Sequence, residues 1–303
     1  MRITLLVIVA LGFVVLSGAL PVLAEEFTFD YQKIIETDHP IDLRLEMASG
    51  KLTVSGGESD RLIIEAVKRI RATGLDEAEE VANHIEIKVK QTGNLVEIST
   101  NYLKLSNRSR SFWSKVLGAG ADSYGDVDFN ITVPDVNLFK IKSTAAEIEL
   151  SNLEADIDVE NASGSIRGEF LFGPVTVRQP AGDIELKWVE GDIRINSNSS
   201  RIMIKQVVGA IDVLSRTGDV RIQTELDSPR DYFVETTTGR ITFEVPENSS
   251  GVLSIETRSG NVTSQVPVAI RSRTGTRLVG EFGSGGPRIT LSSSTGDVEV
   301  CGF

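Results

Sequence analysis

An apolar residue returns every nine positions through the middle of the chain. The series runs without a slip through Ile148, Ile157, Ile166, Val175, Ile184, Ile193, Ile202, Ile211 and Val220. A second apolar residue follows each of these two positions later, except where Gly168 stands. Because alternate residues of a strand face the same side, each apolar pair predicts a short strand with one buried face.

A small residue stands two positions before each apolar pair, and in most cases it is glycine, which supplies the backbone freedom of a tight corner. The nine-residue segments alternate in kind, because an aliphatic residue opens every second one, at Leu153, Leu171, Val189 and Val207. The repeat is therefore an 18-residue unit of two short strands and two corners. Such a unit cannot bury its apolar pairs alone, so the pattern predicts an all-β, single-stranded β-solenoid of stacked units.

Charged residues at outward positions support the 18-residue register. Residues 18 apart would lie side by side in neighbouring units, and opposite charges then meet in five sets. The sets are Glu149–Arg167–Glu185, Asp183–Arg201–Asp219, Glu160–Arg178, Arg194–Asp212 and Glu169–Lys187. Lys187 over Lys205 is a like-charge exception. A nine-residue unit would not produce these matches.

The pattern continues more loosely on both sides, so we expect the solenoid to begin near residue 40. One short helix is predicted over 75–84, where acidic residues in the first turn suit the helix dipole. Further strands are predicted over 85–90, 95–100, 127–133 and 138–142, with a long loop over 101–126. The chain is thus divided into 1–24, an N-terminal part over 25–142 and a regular solenoid over 143–303.

One short phrase recurs at the corners: a Ser or Thr, a Gly, a polar residue and an aliphatic residue. It occurs as Ser49-Gly50-Lys51-Leu52, Ser163-Gly164-Ser165-Ile166, Thr217-Gly218-Asp219-Val220 and Ser259-Gly260-Asn261-Val262. These phrases resemble the DUF4097 family, called "putative adhesin", over nearly all of 40–300. The resemblance implies a β-solenoid fold, and because its motifs are structural it implies no activity.

The first 24 residues have the order of a secretory signal peptide. Arg2 precedes a stretch from Ile3 to Leu20 without a charged residue, and Pro21 and Val22-Leu23-Ala24 follow. This order predicts cleavage before Glu25 and a periplasmic or extracellular protein. The alternative is an uncleaved membrane anchor, since the apolar run nearly reaches spanning length. No later segment is apolar enough to span a bilayer.

Charge and cysteine content exclude several classes of function. The formal net charge of −12 is poorly suited to nucleic acid, so no nucleic-acid partner is expected. Cys301 is the single cysteine, which excludes an intramolecular disulfide and a cysteine metal site. It is either a small apolar residue of the last strand or a thiol that pairs between chains.

The residues that would indicate catalysis are sparse. The two histidines, His39 and His84, lie in no recognisable nucleophile context, and no Gly-x-Ser-x-Gly motif occurs. We therefore expect a non-enzymatic scaffold without a cofactor. One alternative is a carbohydrate-active β-helix enzyme, but aromatic residues are scarce in the regular units, with Phe170, Phe172 and Trp188 at corners.

The other alternative is a calcium-binding nonapeptide module. Asp156, Asp158 and Glu160 alternate with apolar residues, so their carboxylates face outward together. Calcium-binding nonapeptide repeats need a Gly-Gly-x-Gly-x-Asp turn, which this sequence lacks. We therefore favour a solvated strand face and no metal site.

The loop over 101–126 is the segment where we expect a functional contact. It is basic on an acidic protein, and Phe112 and Trp113 recur with Val116 and Leu117 at helical spacing. The candidate binding residues are Lys104, Arg108, Arg110, Phe112, Trp113 and Lys115. Such a segment suits an anionic surface or another envelope component. The competing interpretation is a lid that covers an open end of the solenoid.

Overall fold

A computed structural model of the chain describes residues 25–37, 40–57, 60–102, 125–226 and 229–303. These residues form one helix and 22 strands, and the strands belong to one open hydrogen-bonded sheet. The all-β class with one short helix is therefore confirmed, and the open sheet is consistent with a solenoid-like fold.

The elements have the following bounds. The helix α1 is Leu75–His84, and the strands are β1 Glu25–Glu36, β2 Ile41–Gly56, β3 Arg61–Ala72, β4 Ile85–Thr92, β5 Leu95–Tyr102, β6 Asp126–Val133, β7 Val136–Glu154, β8 Asp156–Phe172, β9 Val175–Ala181, β10 Asp183–Glu190, β11 Ile193–Ser199, β12 Ile202–Val208, β13 Ile211–Thr217, β14 Val220–Thr224, β15 Tyr232–Thr238, β16 Ile241–Val245, β17 Gly251–Ser259, β18 Val262–Ser264, β19 Ala269–Arg273, β20 Arg277–Phe282, β21 Arg288–Thr295 and β22 Val298–Gly302.

The repeat units pair in parallel with the register that the apolar pattern predicts. Strand β10 lies between β8 and β12, so that Ile184 is opposite Ile166 on one side and Ile202 on the other. The same offset relates β9, β11 and β13, which form the second row of strands. The leading residues of the apolar series from Ile148 to Val220 are at most 2% exposed, so both rows bury them in one core.

Neighbouring side chains fill the space beside Gly168, the one gap in the second apolar series. A Cβ built on Gly168 would lie 2.7 Å from Leu171 Cδ1 and 2.9 Å from Leu186 Cδ2. The two leucine side chains therefore occupy the space that a side chain at 168 would need. The gap in the pattern is a local packing solution and does not interrupt the repeat.

Most of the predicted charge matches are ion pairs. Four of the five sets contain one, with nitrogen–oxygen distances from 3.4 to 3.9 Å: Arg167–Glu149, Arg201–Asp183, Arg178–Glu160 and Arg194–Asp212. In the fifth set Lys187 is opposite Glu169 in the register, but its amine pairs with Glu185 on its own strand. These exposed pairs favour the register and add little to stability.

The units at both ends are stacked out of chain order. Strand β2 pairs in parallel with β7 on one side and with β5 and β6 on the other, although β5 and β6 lie between β2 and β7 in the chain. At the other end, β21 and β22 lie between β15–β16 and β17–β18. At each end, therefore, two parallel units that follow one another in the chain are separated in the stack by a third unit.

Antiparallel strands extend the sheet beyond these parallel units. Strand β3 pairs with β6, β1 pairs with β3, and β4 pairs with β5. Near the C-terminus, β20 pairs with β17 and β19 with β20. The sequence pattern predicts β4 and β5 but not β1, β3, β19 or β20, because these four lie outside the nine-residue period.

The predicted helix over 75–84 is confirmed as α1. Glu77 lies in its first turn and accepts hydrogen bonds from the backbone N–H of Thr73 at 2.9 Å and from the Thr73 hydroxyl at 2.6 Å. Ala78, Val81 and Ala82 form its buried face. The helix thus joins β3 to β4 and adds a small apolar surface to the core.

Buried polar side chains are stacked at one corner of the units. Ser143, Asn161 and Gln179 are 18 residues apart in sequence, and the Ser143 hydroxyl donates to Asn161 Oδ1 at 2.8 Å. Asn161 is 1% exposed; its Nδ2 donates to the carbonyl of Ala146 at 3.0 Å, and its Oδ1 accepts from the Ala146 N–H at 3.3 Å. The amide therefore satisfies both backbone groups of a corner residue in the preceding unit.

We expect Asn161→Ala to lower the free energy of unfolding by about 2 kcal/mol, because it leaves the Ala146 N–H and C=O groups without this partner. Urea denaturation followed by circular dichroism measures the change. The control is Ser163→Ala, which removes an exposed hydroxyl hydrogen bond to the Thr144 carbonyl and should cost less than about 0.5 kcal/mol. Equal losses in the two variants would contradict the role of Asn161.

Candidate functional site

The binding residues predicted in the loop lie outside the described residues: Lys104, Arg108, Arg110, Phe112, Trp113 and Lys115. Their role stays a prediction. The structure does place the two ends of this segment, because Tyr102 ends β5 and Asp126 begins β6. The Tyr102 hydroxyl donates to the Gly125 carbonyl at 3.4 Å, and the Ser49 hydroxyl donates to Asp126 Oδ1 at 2.6 Å. The segment therefore leaves from a corner of the outermost parallel unit.

A groove crosses the outward face of the sheet beside that corner. It consists of a hollow of about 540 Å³ over β1, β3, β6 and β2 and a second of about 250 Å³ over β2, β7, β8 and β10. Thr53 lines both hollows, so they meet there. We call the two hollows together the outer groove.

One outward side chain from each of seven neighbouring strands forms a row along the outer groove. Cross-strand pairing connects them in the order Gln32, Glu65, Asn130, Thr53, Glu149, Arg167 and Glu185. At about 4.8 Å between strands, the row is roughly 29 Å long. The groove therefore runs along the stacking direction and has the shape for an extended ligand.

The charged groups of the outer groove are largely paired with one another. Lys51 Nζ lies 2.8 Å from Glu149 Oε2, and Arg167 reaches the other oxygen of Glu149 at 3.8 Å. Glu65 accepts hydrogen bonds from Gln32 at 3.3 Å and Asn130 at 3.0 Å. The groove thus presents alternating donors and acceptors, held on strands, without an uncompensated cluster of one sign.

Two exposed aromatic residues follow directly after residues of the outer groove. Phe170 follows Glu169 and is 43% exposed, whereas Trp188 follows Lys187 and is 46% exposed. Both have left-handed backbone conformations, with φ of +56° and +55°. Lys205 Nζ lies 5.1 Å from the centre of the Trp188 ring, within the range of a cation–π interaction.

Two of the three carboxylates that the calcium alternative requires, those of Asp158 and Glu160, are engaged in ion pairs. Arg178 lies 2.6 Å from Asp158 and 3.4 Å from Glu160, and Lys140 lies 3.3 Å from Asp158 and 3.8 Å from Glu160. In the described ranges, no group of three or more His, Cys, Asp or Glu side chains is arranged to hold a metal ion. Two cations thus stand where a divalent ion would need free oxygens.

His84 has a structural environment at the end of α1. Its Nδ1 lies 2.6 Å from the Glu80 carbonyl oxygen one turn earlier, and basic residues are favoured at this end of a helix. His39 falls outside the described residues. Over the part of the chain that the structure describes, no helix has both the length and the apolar character for a membrane span.

Cys301 lies in β22, the last strand, and is partly buried. Desolvation raises the pKa of its thiol from 9.0 to about 11, and the charge and hydrogen bonding of Glu299 act in the same direction. Because only the thiolate attacks alkylating reagents, this environment makes Cys301 a poor nucleophile.

We expect iodoacetamide to label native Cys301 at pH 9 roughly fiftyfold more slowly than the urea-unfolded chain, since about 1% rather than half of the thiol is ionised. Labelling should accelerate as the pH rises towards 11. Glu299→Gln removes a neighbouring negative charge and should raise the native rate severalfold at constant pH. Mass spectrometry measures the rates, and native labelling as fast as that of the unfolded chain would contradict the raised pKa.

Comparison with known proteins identifies the family of this chain. Residues 69–301 match the family model described as Toastrack DUF4097, from within β3 to Cys301 in β22. The chain belongs to the DUF4097 family. The resemblance inferred from the corner phrases is therefore confirmed over these residues. They include the regular units and the C-terminal unit of β21 and β22. No curated protein sequence gives a significant match.

Several solved structures are similar to this DUF4097 chain at low sequence identity. A "putative cell adhesion protein" from Clostridium sporogenes is 14% identical, with a TM-score of 0.24 and coverage of 90% of this chain and 99% of the other. A "putative adhesin" from Bacteroides fragilis is 13% identical, with a TM-score of 0.36 and coverage of 90% of this chain and 97% of the other. A "putative adhesin" from Parabacteroides distasonis is 10% identical, with a TM-score of 0.33 and coverage of 89% of this chain and 96% of the other.

The outer groove does not follow from the sequence pattern. Its lining comes from strands that are distant in the chain, and β1 and β3 were not predicted at all. One signal was present: Glu149, Arg167 and Glu185 were placed side by side by their 18-residue spacing. The aromatic residues at the corners are visible in the sequence, but their position beside a groove requires the structure.

Proposed function

We propose that this protein is an exported, non-enzymatic β-solenoid scaffold that binds a component of the cell envelope through its outward face. In this proposal the 18-residue units are coils, and the segment 1–24 is a cleaved signal peptide. The observation that carries the proposal is the outer groove, a long polar depression whose lining side chains are fixed on stacked strands.

The chemistry of the groove favours binding over catalysis. A general acid or base is most often an imidazole or carboxyl group that is free to exchange a proton with a substrate. In the outer groove Glu65 accepts two amide hydrogen bonds, and Glu149 is flanked by Lys51 and Arg167. These partners engage the carboxylate oxygens, which suits recognition of a ligand rather than transfer of a proton.

The test of binding uses the mature protein, from Glu25, on isolated envelope material from the source cell. We expect saturable retention that is lost in Thr53→Trp, because the indole would fill the junction of the two hollows. The matched control is Thr176→Trp, which places the same side chain at an outward position of β9 in the other row of strands. Equal retention by both variants, or none by the wild type, would overturn the proposal.

The export part of the proposal has its own measurement. The mature protein should begin at Glu25, and Edman sequencing or mass spectrometry of protein from the cell exterior or periplasm determines its N-terminus. An intact Met1 in the membrane fraction would instead establish a retained anchor and would leave the groove unaffected.

The basic loop provides a second candidate contact. Replacement of Phe112 and Trp113 by serine should abolish binding to anionic vesicles and leave the melting temperature unchanged if the segment is a docking site. A large loss of stability in the same variant would instead identify the segment as a lid over the end of the solenoid.

A further inference from the structure

Three successive units share an unusual backbone conformation at one corner. Asn152, Phe170 and Trp188 are 18 residues apart and have φ values of +53°, +56° and +55°. Asparagine tolerates the left-handed region, whereas a bulky aromatic residue there is a strained exception. Asn152 shows that the corner forms without a ring, so the fold does not account for the aromatic residues at the next two positions.

The same conformation turns both rings toward solvent beside the outer groove. Phe170 and Trp188 are each more than two-fifths exposed, and the residues that precede them, Glu169 and Lys187, line the smaller hollow. Burial therefore does not offset the backbone strain. Strained residues that are kept at a surface are a sign of a functional contact.

The lining of the outer groove limits the charge of the ligand. Six acidic and three basic residues line the two hollows, and Lys51 and Arg167 are both committed to Glu149. The excess of carboxylates disfavours a polyanion, and the cations among them leave no continuous acidic surface for a polycation. An uncharged ligand that both donates and accepts hydrogen bonds is the best match.

We propose that the outer groove and the two corner rings bind a neutral polysaccharide chain that runs along the stacking direction. Hydroxyl groups of the sugars would exchange hydrogen bonds with the row from Gln32 to Glu185, and the apolar C–H face of a sugar ring would pack on Trp188 or Phe170. The row of roughly 29 Å accommodates several sugar units. This inference rests on the proposed binding function and specifies its ligand class.

The first experiment uses Trp188 as a probe. The chain has two tryptophans, so Trp113→Phe leaves Trp188 as the single one. Titration with soluble dextran, xylan or mixed-linkage β-glucan should shift its fluorescence saturably for at least one of the three. The apparent affinity should change less than about twofold between low and high salt, because no ion pair forms with the ligand. Preference for alginate with a steep salt dependence would overturn the proposal.

The second experiment removes the rings without disturbing the fold. The double variant Phe170→Asn, Trp188→Asn copies the residue found at 152, so its melting temperature should equal or exceed that of the wild type. In affinity electrophoresis through the responding polysaccharide, its binding should fall roughly tenfold or more. The matched control is Phe172→Asn, since Phe172 is 39% exposed in the same unit but lines other hollows. It should bind like the wild type.

The outcomes separate this inference from the function on which it rests. If the wild type retains envelope material through the groove but no neutral polysaccharide binds, the ligand class is wrong and the scaffold function stands. If a polysaccharide binds and the double variant retains full affinity, the aromatic contact is wrong. If the wild type binds neither envelope material nor polysaccharide, both proposals fail.

Discussion

Replacement of Ile184 by aspartate is expected to unfold the protein. Ile184 is 1% exposed and lies between Ile166 and Ile202, which are equally buried, so a carboxylate there would have apolar neighbours on both sides. A buried, unpaired charge of this kind costs about 4 kcal/mol or more, a large part of the stability of a typical domain. Circular dichroism during heating should show loss of the cooperative transition, or a melting temperature lowered by many degrees.

The control places the same residue on the outward side of the sheet. Leu214 in β13 is 41% exposed, so Leu214→Asp changes an apolar residue to aspartate without burying the charge. We expect its free energy of unfolding to change by less than about 1 kcal/mol. If the two variants lost stability equally, the assignment of inward and outward positions would be wrong.

The second large effect is expected for Gly182→Ala, the smallest side-chain addition at a corner. Gly182 has φ of +117°, and a Cβ there would lie 1.7 Å from the carbonyl oxygen of Gly164 in the preceding unit. Because that atom belongs to the backbone, the two units would have to separate locally. We expect a loss of about 3 kcal/mol or more, measured as a lower midpoint of urea denaturation.

Gly275 provides the matched control, because it lies between β19 and β20 and a Cβ there would meet nothing within 4 Å. Gly275→Ala should leave the midpoint unchanged or raise it slightly, since alanine restricts the unfolded chain. A similar loss at both glycines would indicate that the corners do not stack as closely as the register requires.

The register of the middle units was predictable because two independent patterns agree there. The apolar period alone leaves nine and 18 residues as possible units, whereas charges 18 apart, such as Glu160 and Arg178, favour the longer one. Burial fixes which face of each strand points inward, and a slip by one residue would expose every apolar pair. Sequence is therefore sufficient wherever each unit pairs with its neighbour in the chain.

At the ends of the stack the sequence lacks the information that decides the arrangement. Leu253 and Val262 have the same spacing as Ile289 and Val298, so the pattern cannot tell which pair lies next to Tyr232 and Ile241. In the structure β21 and β22 take that place, and the hairpin of β19 and β20 pairs with the other edge of β17. The outer groove could not be predicted for a related reason. Its shape depends on the antiparallel pairing of β3 with β6 and of β1 with β3, which the repeat pattern does not contain.

The inserted C-terminal unit has a consequence for the kinetics of folding. Tyr232 pairs with Ile289, so β15 gains its final neighbour only after a chain loop of more than 50 residues has closed. Strand β17 precedes β21 in the chain and has the same apolar spacing, so it competes with β21 for that edge during folding. Long-range closure of this kind slows folding, which leaves the edge of β15 open to other chains until β21 has paired with it.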